Sequence, residues 1–239
     1  MYSNLIKTVY TTFFSNMPHL QQLHLYNNRI QTLPDDIFWG LNQLELLSLS
    51  TNRLKKLHPM QFRNMSQLKS LSLGDNLLEV LPDEQFMGLN QLCYLYLANN
   101  RITTISATMF SRSSQLYRIE LDHNLLTVIP DEAFNVLNAS LRKVYLHNNR
   151  LSRISETVFN ELSLTSVSLS GNPLVCDCQL AWVRNMRWTK YYTWNTYLPD
   201  CFSPRAVNGT SITSYDIAMC STRETTGIDF IYLTDKVNF

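Results

Sequence analysis

A 24-residue period runs through most of this chain and limits what it can fold into. Each unit reads Leu-x-x-Leu-x-Leu-x-x-Asn-x-Leu, with an apolar residue and then a phenylalanine further on. The units open at Leu20, Leu44, Leu68, Leu92, Leu116, Leu141 and Leu164. Repeats of this length stack into a solenoid, in which each unit contacts only its neighbours. Solenoids present long concave surfaces, so the period favours a binding protein.

Three positions of each unit have a predictable structural role. The segment x-Leu-x-Leu-x alternates with period two, so it predicts a short strand with its leucines in the core and the x residues outside. An asparagine column follows the strands, at Asn28, Asn52, Asn76, Asn100, Asn124, Asn149 and Asn172. An amide both donates and accepts, so this column should satisfy backbone groups at the turns. A phenylalanine column should form a spine under the convex side, at Phe14, Phe38, Phe62, Phe86, Phe110, Phe134 and Phe159.

The first residues match the second half of a unit. Aligned back by one period, Val9 and Phe14 take the positions of Leu33 and Phe38. An uncovered apolar end of a solenoid is an association hazard. We therefore expect this half-repeat either to fold over the end of the core or to form a homodimer through it.

A cysteine pattern ends the repeat array. Asn172-Pro173-Leu174 leads into Cys176-Asp177-Cys178, and Trp182, Cys201 and Cys220 follow. With the repeat, this pattern resembles the extracellular leucine-rich-repeat family, in its 24-residue "typical" class, and the C-terminal cap of Slit, Toll-like receptor and variable lymphocyte receptor ectodomains. The resemblance implies an α/β solenoid: a right-handed leucine-rich-repeat horseshoe with a concave parallel β-sheet and a disulfide-bonded C-terminal cap.

The expected organisation has four parts: 1–19, a truncated repeat that acts as the N-terminal end; 20–171, the repeats; 172–220, the cap; and 221–239, a tail. The family resemblance implies the disulfides Cys176–Cys201 and Cys178–Cys220, whereas spacing alone leaves three connectivities open. A zinc site is the alternative, but the Cys-x-Cys opening lacks the paired spacing of common zinc sites.

Other features concern the compartment. Disulfides imply an oxidising environment, and the sequons at Asn64, Asn138 and Asn208 agree with a secreted glycoprotein. We expect an extracellular chain, either secreted or the ectodomain of an anchored receptor. The fifth cysteine, Cys93, is expected to be a free, largely buried thiol, with intermolecular pairing as the alternative.

Several function classes are disfavoured. Net charge is +1, which suggests neither nucleic acid nor an anionic membrane as partner, and no stretch approaches the ~18 consecutive apolar residues of a membrane span. Phosphate-binding, metalloprotease and hydrolase motifs are missing from the sequence, so we predict no enzyme and no cofactor. Acidic residues after Pro34, Pro82 and Pro130 favour capping of short convex helices over calcium binding.

The candidate binding site lies on the outward positions of units four to six, where large aromatic and charged groups stand side by side. The predicted ligand-binding residues are Tyr94, Tyr96, Arg118, Glu120, Asp122, His123, Lys143, Tyr145 and His147. Tyr and Arg are enriched in binding hot spots, although an ordinary solvated face is the alternative. Across the outward positions of six units, six cations and three anions leave +3, a mildly anion-seeking face.

The function expected is non-enzymatic extracellular recognition. The resemblance to immune receptor ectodomains implies a microbial surface glycan or protein as the ligand. The alternative is a cell-adhesion, guidance or matrix protein that binds a host protein partner.

Overall fold

The computed structural model describes residues 5–185, 200–202 and 208–209. Cys220 and the predicted tail lie outside these residues. Seven strands form one parallel sheet in chain order. They are β1 (Gln22–His24), β2 (Leu46–Ser48), β3 (Ser70–Ser72), β4 (Tyr94–Tyr96), β5 (Arg118–Glu120), β6 (Lys143–Tyr145) and β7 (Ser166–Ser168). The solenoid and its concave sheet are therefore confirmed.

Each strand is short because the chain turns sharply just after it. The residue before each column asparagine has a positive φ, between 54° and 56° at Asn27, Thr51, Asp75, Asn99, His123 and Asn148. Gly171 takes this position in the last unit, with φ of 67°. Such a left-handed conformation favours Gly, Asn and Asp. This explains why these types recur at a position that the leucine pattern leaves unspecified.

The asparagine column forms the predicted ladder. Asn76 Nδ2 donates to the carbonyls of Leu49, Leu73 and Gly74 at 3.0–3.1 Å, and its Oδ1 accepts from the Leu54 amide at 3.0 Å. One amide therefore satisfies groups in its own unit and in the preceding one. Asn52, Asn100, Asn124, Asn149 and Asn172 repeat the pattern, which joins the units by buried hydrogen bonds.

The convex side consists mainly of turns. The prediction that short helices start after Pro34, Pro82 and Pro130 is therefore mostly wrong. The stretch 35–40 after Pro34 is all turn, and 3₁₀ helices occur in the repeats only at Asn135–Leu137 and Glu156–Val158. Six residues are too few for two turns of α-helix. The phenylalanine spine lies beneath these turns, with neighbouring rings stacked at 5.9–6.2 Å in four of the pairs.

The N-terminal half-repeat stacks on the first unit as a further rung. Ile6 donates its amide to Asn28 Oδ1 at 3.1 Å, and its carbonyl accepts from the Arg29 amide at 2.8 Å. Val9 and Phe14 are buried, as their repeat positions predict. Phe13, in a 3₁₀ helix at Thr11–Phe13, stays 39% exposed. Self-association through this end stays a prediction.

The cap covers the other end of the core. A disulfide joins Cys176 to Cys201, and Trp182, in a 3₁₀ helix at Cys178–Asn185, lies 5.8 Å from the ring of Phe159. The Trp182 indole donates to the Ile154 carbonyl at 3.3 Å. The phenylalanine spine thus ends on a tryptophan. The Cys178–Cys220 bond lies outside the described residues and stays a prediction.

Two further predictions concern the fifth cysteine and the glycosylation sequons. Cys93 forms no disulfide with another described cysteine, and it is half-buried rather than largely buried, because its position lies beside the sheet and not in the core; intermolecular pairing stays a prediction. Asn64, Asn138 and Asn208 are all exposed, so a glycan on each would meet no packed core; glycosylation itself stays a prediction. Within the described ranges, no helix is long and apolar enough to cross a membrane.

Candidate functional site: the concave patch

The sheet register brings the predicted residues of units four to six together. Tyr94, Arg118 and Lys143 are consecutive partners across β4, β5 and β6. Tyr96, Glu120 and Tyr145 form the next row. Neighbouring strands lie ~4.8 Å apart, so side chains of one row are in contact range. We call the nine predicted residues the concave patch.

Arg118 occupies the centre of the concave patch. Its guanidinium carbon lies 4.9 Å from the Tyr145 ring centroid and 5.7 Å from that of Tyr96. Its Nε donates to Glu120 Oε1 at 2.7 Å, and Nη2 donates to the same oxygen. A cation between two aromatic faces and a carboxylate has few free rotamers, so the group is preorganised.

Partial burial governs the electrostatics around this arginine. Desolvation raises the pKa of Tyr96 above its ordinary 10.0, although Arg118 opposes the shift. Desolvation also raises the pKa of Glu120, again against the pull of Arg118. The pKa of Arg118 itself is raised: desolvation would lower it, but Glu120, Tyr145 and Tyr96 together outweigh that effect. Arg118 therefore stays charged at any physiological pH.

A second aromatic group borders the first. Lys143 Nζ lies 5.9 Å from the centroid of the Tyr117 ring, and Tyr94 meets Tyr117 edge to face at 6.1 Å. Tyr117 was missed by the sequence prediction, which considered outward positions from the strand onward and not the residue directly after the opening leucine. The available signal was an aromatic residue directly after the opening leucine. Tyr117 precedes β5 and extends the aromatic surface past the start of that strand.

The third group joins the two histidines to an aspartate. Asp122 Oδ2 lies 3.0 Å from His123 Nδ1 and 3.5 Å from His147 Nε2. Ser168 Oγ lies 2.8 Å from His147 Nδ1. Burial lowers the pKa of His147, Asp122 opposes this, and His123 adds to it. These three residues also offer ligand atoms within 4.8 Å of one another, a spacing that suits a metal ion.

The accessibility of the concave patch is uneven. The side chain of His147 is only 12% exposed, less than its outward position predicts, because Asp122, His123 and Ser168 surround it. Arg118 keeps 33% and His123 keeps 47% of its side-chain surface exposed. A ligand on this face would meet Arg118 and His123 before His147.

The concave patch is electrically balanced. Arg118 and Lys143 contribute two positive charges and Glu120 and Asp122 two negative ones, so with neutral histidines the sum is zero. The excess of +3 expected across the whole face therefore comes from outward positions outside the patch, namely Arg29, Arg53, Arg101 and Arg150 less Asp75. The patch does not present the anion-seeking surface that the overall count suggested.

Comparisons with known proteins place this architecture in a family. A model described as "Leucine rich repeat" matches residues 2–54, 46–102, 66–116 and 114–174. These matches span more than half of the chain, so it belongs to the leucine-rich-repeat family. Proteins of this family are generally non-enzymatic protein-interaction modules. A sequence search against curated proteins finds no match.

Solved structures share the fold. A leucine-rich-repeat protein of Leptospira interrogans has 27% identity and a TM-score of 0.65, covering 77% of this chain and 46% of that one. A chain of the glycosylated Toll–Spatzle complex of Drosophila has 24% identity and a TM-score of 0.73, covering 90% of this chain and 31% of that one. A second structure of this complex has a TM-score of 0.62 at 24% identity, covering 89% of this chain and 34% of that one. The chain thus spans less than half the length of these proteins.

Proposed function

We propose that the chain is an extracellular recognition module of the innate-immune type, which binds a microbial surface ligand, protein or glycan, through the concave patch. The observation that carries the proposal is the packing of Arg118 between Tyr96 and Tyr145, with Glu120 holding the guanidinium. Binding hot spots are enriched in such Tyr and Arg groups, because they bring contact area and hydrogen-bond donors at low entropic cost.

The surroundings of this group favour it as a contact point. Units two and three carry small outward residues on β2 and β3, including Ser48, Ser70 and Ser72. The aromatic side chains of β4 therefore lie beside the small polar side chains of β3. A ligand segment that lies over the small side chains of β2 and β3 would reach the tyrosine and arginine side chains from one side.

Charge narrows the chemistry of the ligand. Since the concave patch sums to zero and Glu120 already neutralises Arg118, a polyanion gains little there. Tyrosine hydroxyls and ring faces suit protein loops or neutral sugars, which present both apolar surface and hydrogen-bonding groups. We therefore favour a protein or neutral glycan over an anionic one.

The extracellular setting has separate support. The Cys176–Cys201 disulfide fits an oxidising compartment, and the sequon asparagines lie on exposed turns away from the strands. In the Drosophila complex, a chain with this fold is part of an assembly described as a molecular hub in development and innate immunity. The disulfide and the sequons are therefore the support for a ligand outside the cell.

A binding array tests the proposal. Microbial glycans, microbial surface proteins and host ectodomains are probed with the wild-type chain, with the double variant Tyr96→Ala/Tyr145→Ala, and with Tyr26→Ala. Tyr26 serves as the matched control, since it lies on the same face at the first unit. We expect the wild-type chain to bind microbial ligands on the array. The double variant should lose this binding, and the Tyr26→Ala control should keep it. Binding confined to host ectodomains would instead favour the adhesion or guidance function, and binding unchanged in the double variant would remove the concave patch as the site.

A further inference from the structure

Two histidines and one aspartate converge where β5 and β6 end. Asp122 and His147 occupy the same position in consecutive units, and His123 follows Asp122. The left-handed conformation of His123, with φ of 54°, turns its ring back toward Asp122 and across to His147. The two imidazole rings lie 5.1 Å apart at an interplanar angle of 83°, so their nitrogen atoms approach the carboxylate from different directions.

From this geometry we propose that Asp122, His123 and His147 bind a divalent transition-metal ion, with Zn²⁺ as the best match. Two imidazoles and a carboxylate are ligands that zinc uses in open sites. Neither the family assignment nor the proposed function requires a metal, although these three residues belong to the concave patch and a bound ion would add two positive charges to it.

The distances suit the ion. Zinc lies ~2.0–2.2 Å from nitrogen and oxygen ligands, which places neighbouring tetrahedral ligand atoms ~3.3 Å apart. Asp122 Oδ2 lies 3.0 Å from His123 Nδ1 and 3.5 Å from His147 Nε2. All three ligand atoms fall within 4.8 Å of one another. Small side-chain rotations would therefore complete the coordination without moving the backbone.

Neighbouring side chains orient both imidazoles. Ser168 Oγ lies 2.8 Å from His147 Nδ1, and by accepting the Nδ1 proton it would leave the Nε2 lone pair for the metal. Asn148 Nδ2 lies 2.8 Å from His123 Nε2. Rotation of the Asn148 amide by half a turn would place Oδ1 there, so that Nε2–H donates and Nδ1 coordinates. Each histidine thus has the outer hydrogen-bond partner that metal ligands use.

A fourth coordination position would face solvent. His123 keeps 47% of its side-chain surface exposed, whereas Asp122 keeps 13% and His147 12%. An ion held by these three residues would be shielded from solvent on the side of Asp122 and His147 and open to solvent on the side of His123. Three protein ligands with one open position leave room for water or for an oxygen atom of a bound molecule.

A simple His–Asp ion pair is the competing explanation, and the chain contains a matched control for it. His58 Nε2 lies 3.6 Å from Asp35 Oδ2 on the convex side. This pair has the same two chemical groups. Among the described residues, metal-ligand groups of three or more occur only at Asp122, His123 and His147. His58→Ala therefore removes a His–Asp pair without touching the proposed site.

The test is calorimetric titration of the whole chain, stripped with a chelator, with zinc chloride near neutral pH. We expect a single site that His123→Ala, His147→Ala and Asp122→Asn each weaken at least about tenfold, and that His58→Ala leaves unchanged. Cobalt substitution adds a spectroscopic readout, because coordination by these ligands gives visible absorption bands that the variants should lose. Thermal midpoints measured without metal show whether each variant is folded.

Two outcomes would overturn the proposal. One is the lack of saturable zinc binding to the folded wild-type chain. The other is binding that survives in folded His123→Ala and His147→Ala variants. Repeating the ligand array in chelator separates this inference from the proposed function. If zinc binding fails while the array signals still depend on Tyr96 and Tyr145, the metal site is wrong and the recognition site stands.

Discussion

The guanidinium carbon of Arg118 lies 4.9 Å from the centroid of the Tyr145 ring, on the next strand of the sheet. The same guanidinium is hydrogen-bonded to Glu120, so the arginine is fixed both across the sheet and along its own strand. An arginine held in this way exposes a defined face to a ligand. These contacts also couple the side chains of the concave patch to one another. The coupling energy can be measured in the protein without ligand.

A double-mutant cycle on Arg118→Ala and Tyr145→Ala should give a coupling of about 0.5–1 kcal/mol in the free energy of unfolding. The value is modest because the arginine side chain is partly exposed. Chemical denaturation of the four proteins measures it. The Lys143 and Tyr117 pair is the control, since its 5.9 Å separation predicts weaker coupling. Coupling no larger for Arg118 than for this control would contradict the described packing.

The asparagine ladder should dominate the stability of the repeats. Asn76→Ala leaves the Leu54 amide and the Leu49 carbonyl without the side chain that joins their unit to the next. We expect a loss of about 3 kcal/mol or more, because each unsatisfied buried group costs about 1–3 kcal/mol. Asn42→Ala, at an exposed turn position, should stay within about 0.5 kcal/mol of wild type. Equal effects of the two substitutions in denaturation experiments would argue against the ladder.

Thr51 is the β-branched residue of the left-handed column, with φ of 54°. Its branched side chain is strained in this conformation, whereas asparagine tolerates it. Thr51→Asn should therefore raise the free energy of unfolding by about 1 kcal/mol, and the reverse change Asn99→Thr should lower it by a similar amount. Thermal or chemical unfolding of the two variants checks the pair. A destabilised Thr51→Asn would mean that the threonine makes a compensating contact.

Alkaline pH should reveal the burial of Tyr96. Desolvation raises its pKa in the folded protein above the ordinary 10.0. The unfolded chain then releases this proton first, so the folded protein holds more protons between the two pKa values, and its stability falls as pH rises through that window. Relative to Tyr96→Phe, wild type should lose stability from about pH 10 upward. A difference between the two proteins that does not change with pH would contradict the raised pKa.

The sequence was sufficient for the fold because each column has one dominant physical demand. Leucines must fill a core between rungs, and an amide must both donate and accept at each turn, so Leu49 and Asn76 could be placed without a structure. The convex side was predicted less well. Acidic residues after Pro34 signalled a helix start, but the six turn residues 35–40 are too few for the helix to continue.

The concave patch was predictable in its membership and not in its contacts. The period places Tyr96, Glu120 and Tyr145 in one row, but side-chain rotamers decide that Arg118 turns to Glu120 and to both rings. Tyr117 lies outside the outward positions that the sequence analysis considered, and Ser168 is the small register partner of Tyr145, so the roles of both depend on contacts across strands. The period brings His123 and His147 into neighbouring units, but the turn of the His123 ring toward Asp122 depends on the left-handed backbone of His123 and on side-chain rotamers.

Side-chain oxidation by hydroxyl radicals, read by mass spectrometry, tests the recognition surface most directly. The chain is oxidised alone and in the presence of the ligand that binds most strongly in the array. The extent of oxidation of each aromatic residue is then compared between the two samples. We expect the ligand to protect Tyr94, Tyr96 and Tyr145, while Tyr26 on the first unit and Trp39 on the convex side react as before. Protection of Tyr26 or Trp39, with the three patch tyrosines unchanged, would contradict this expectation.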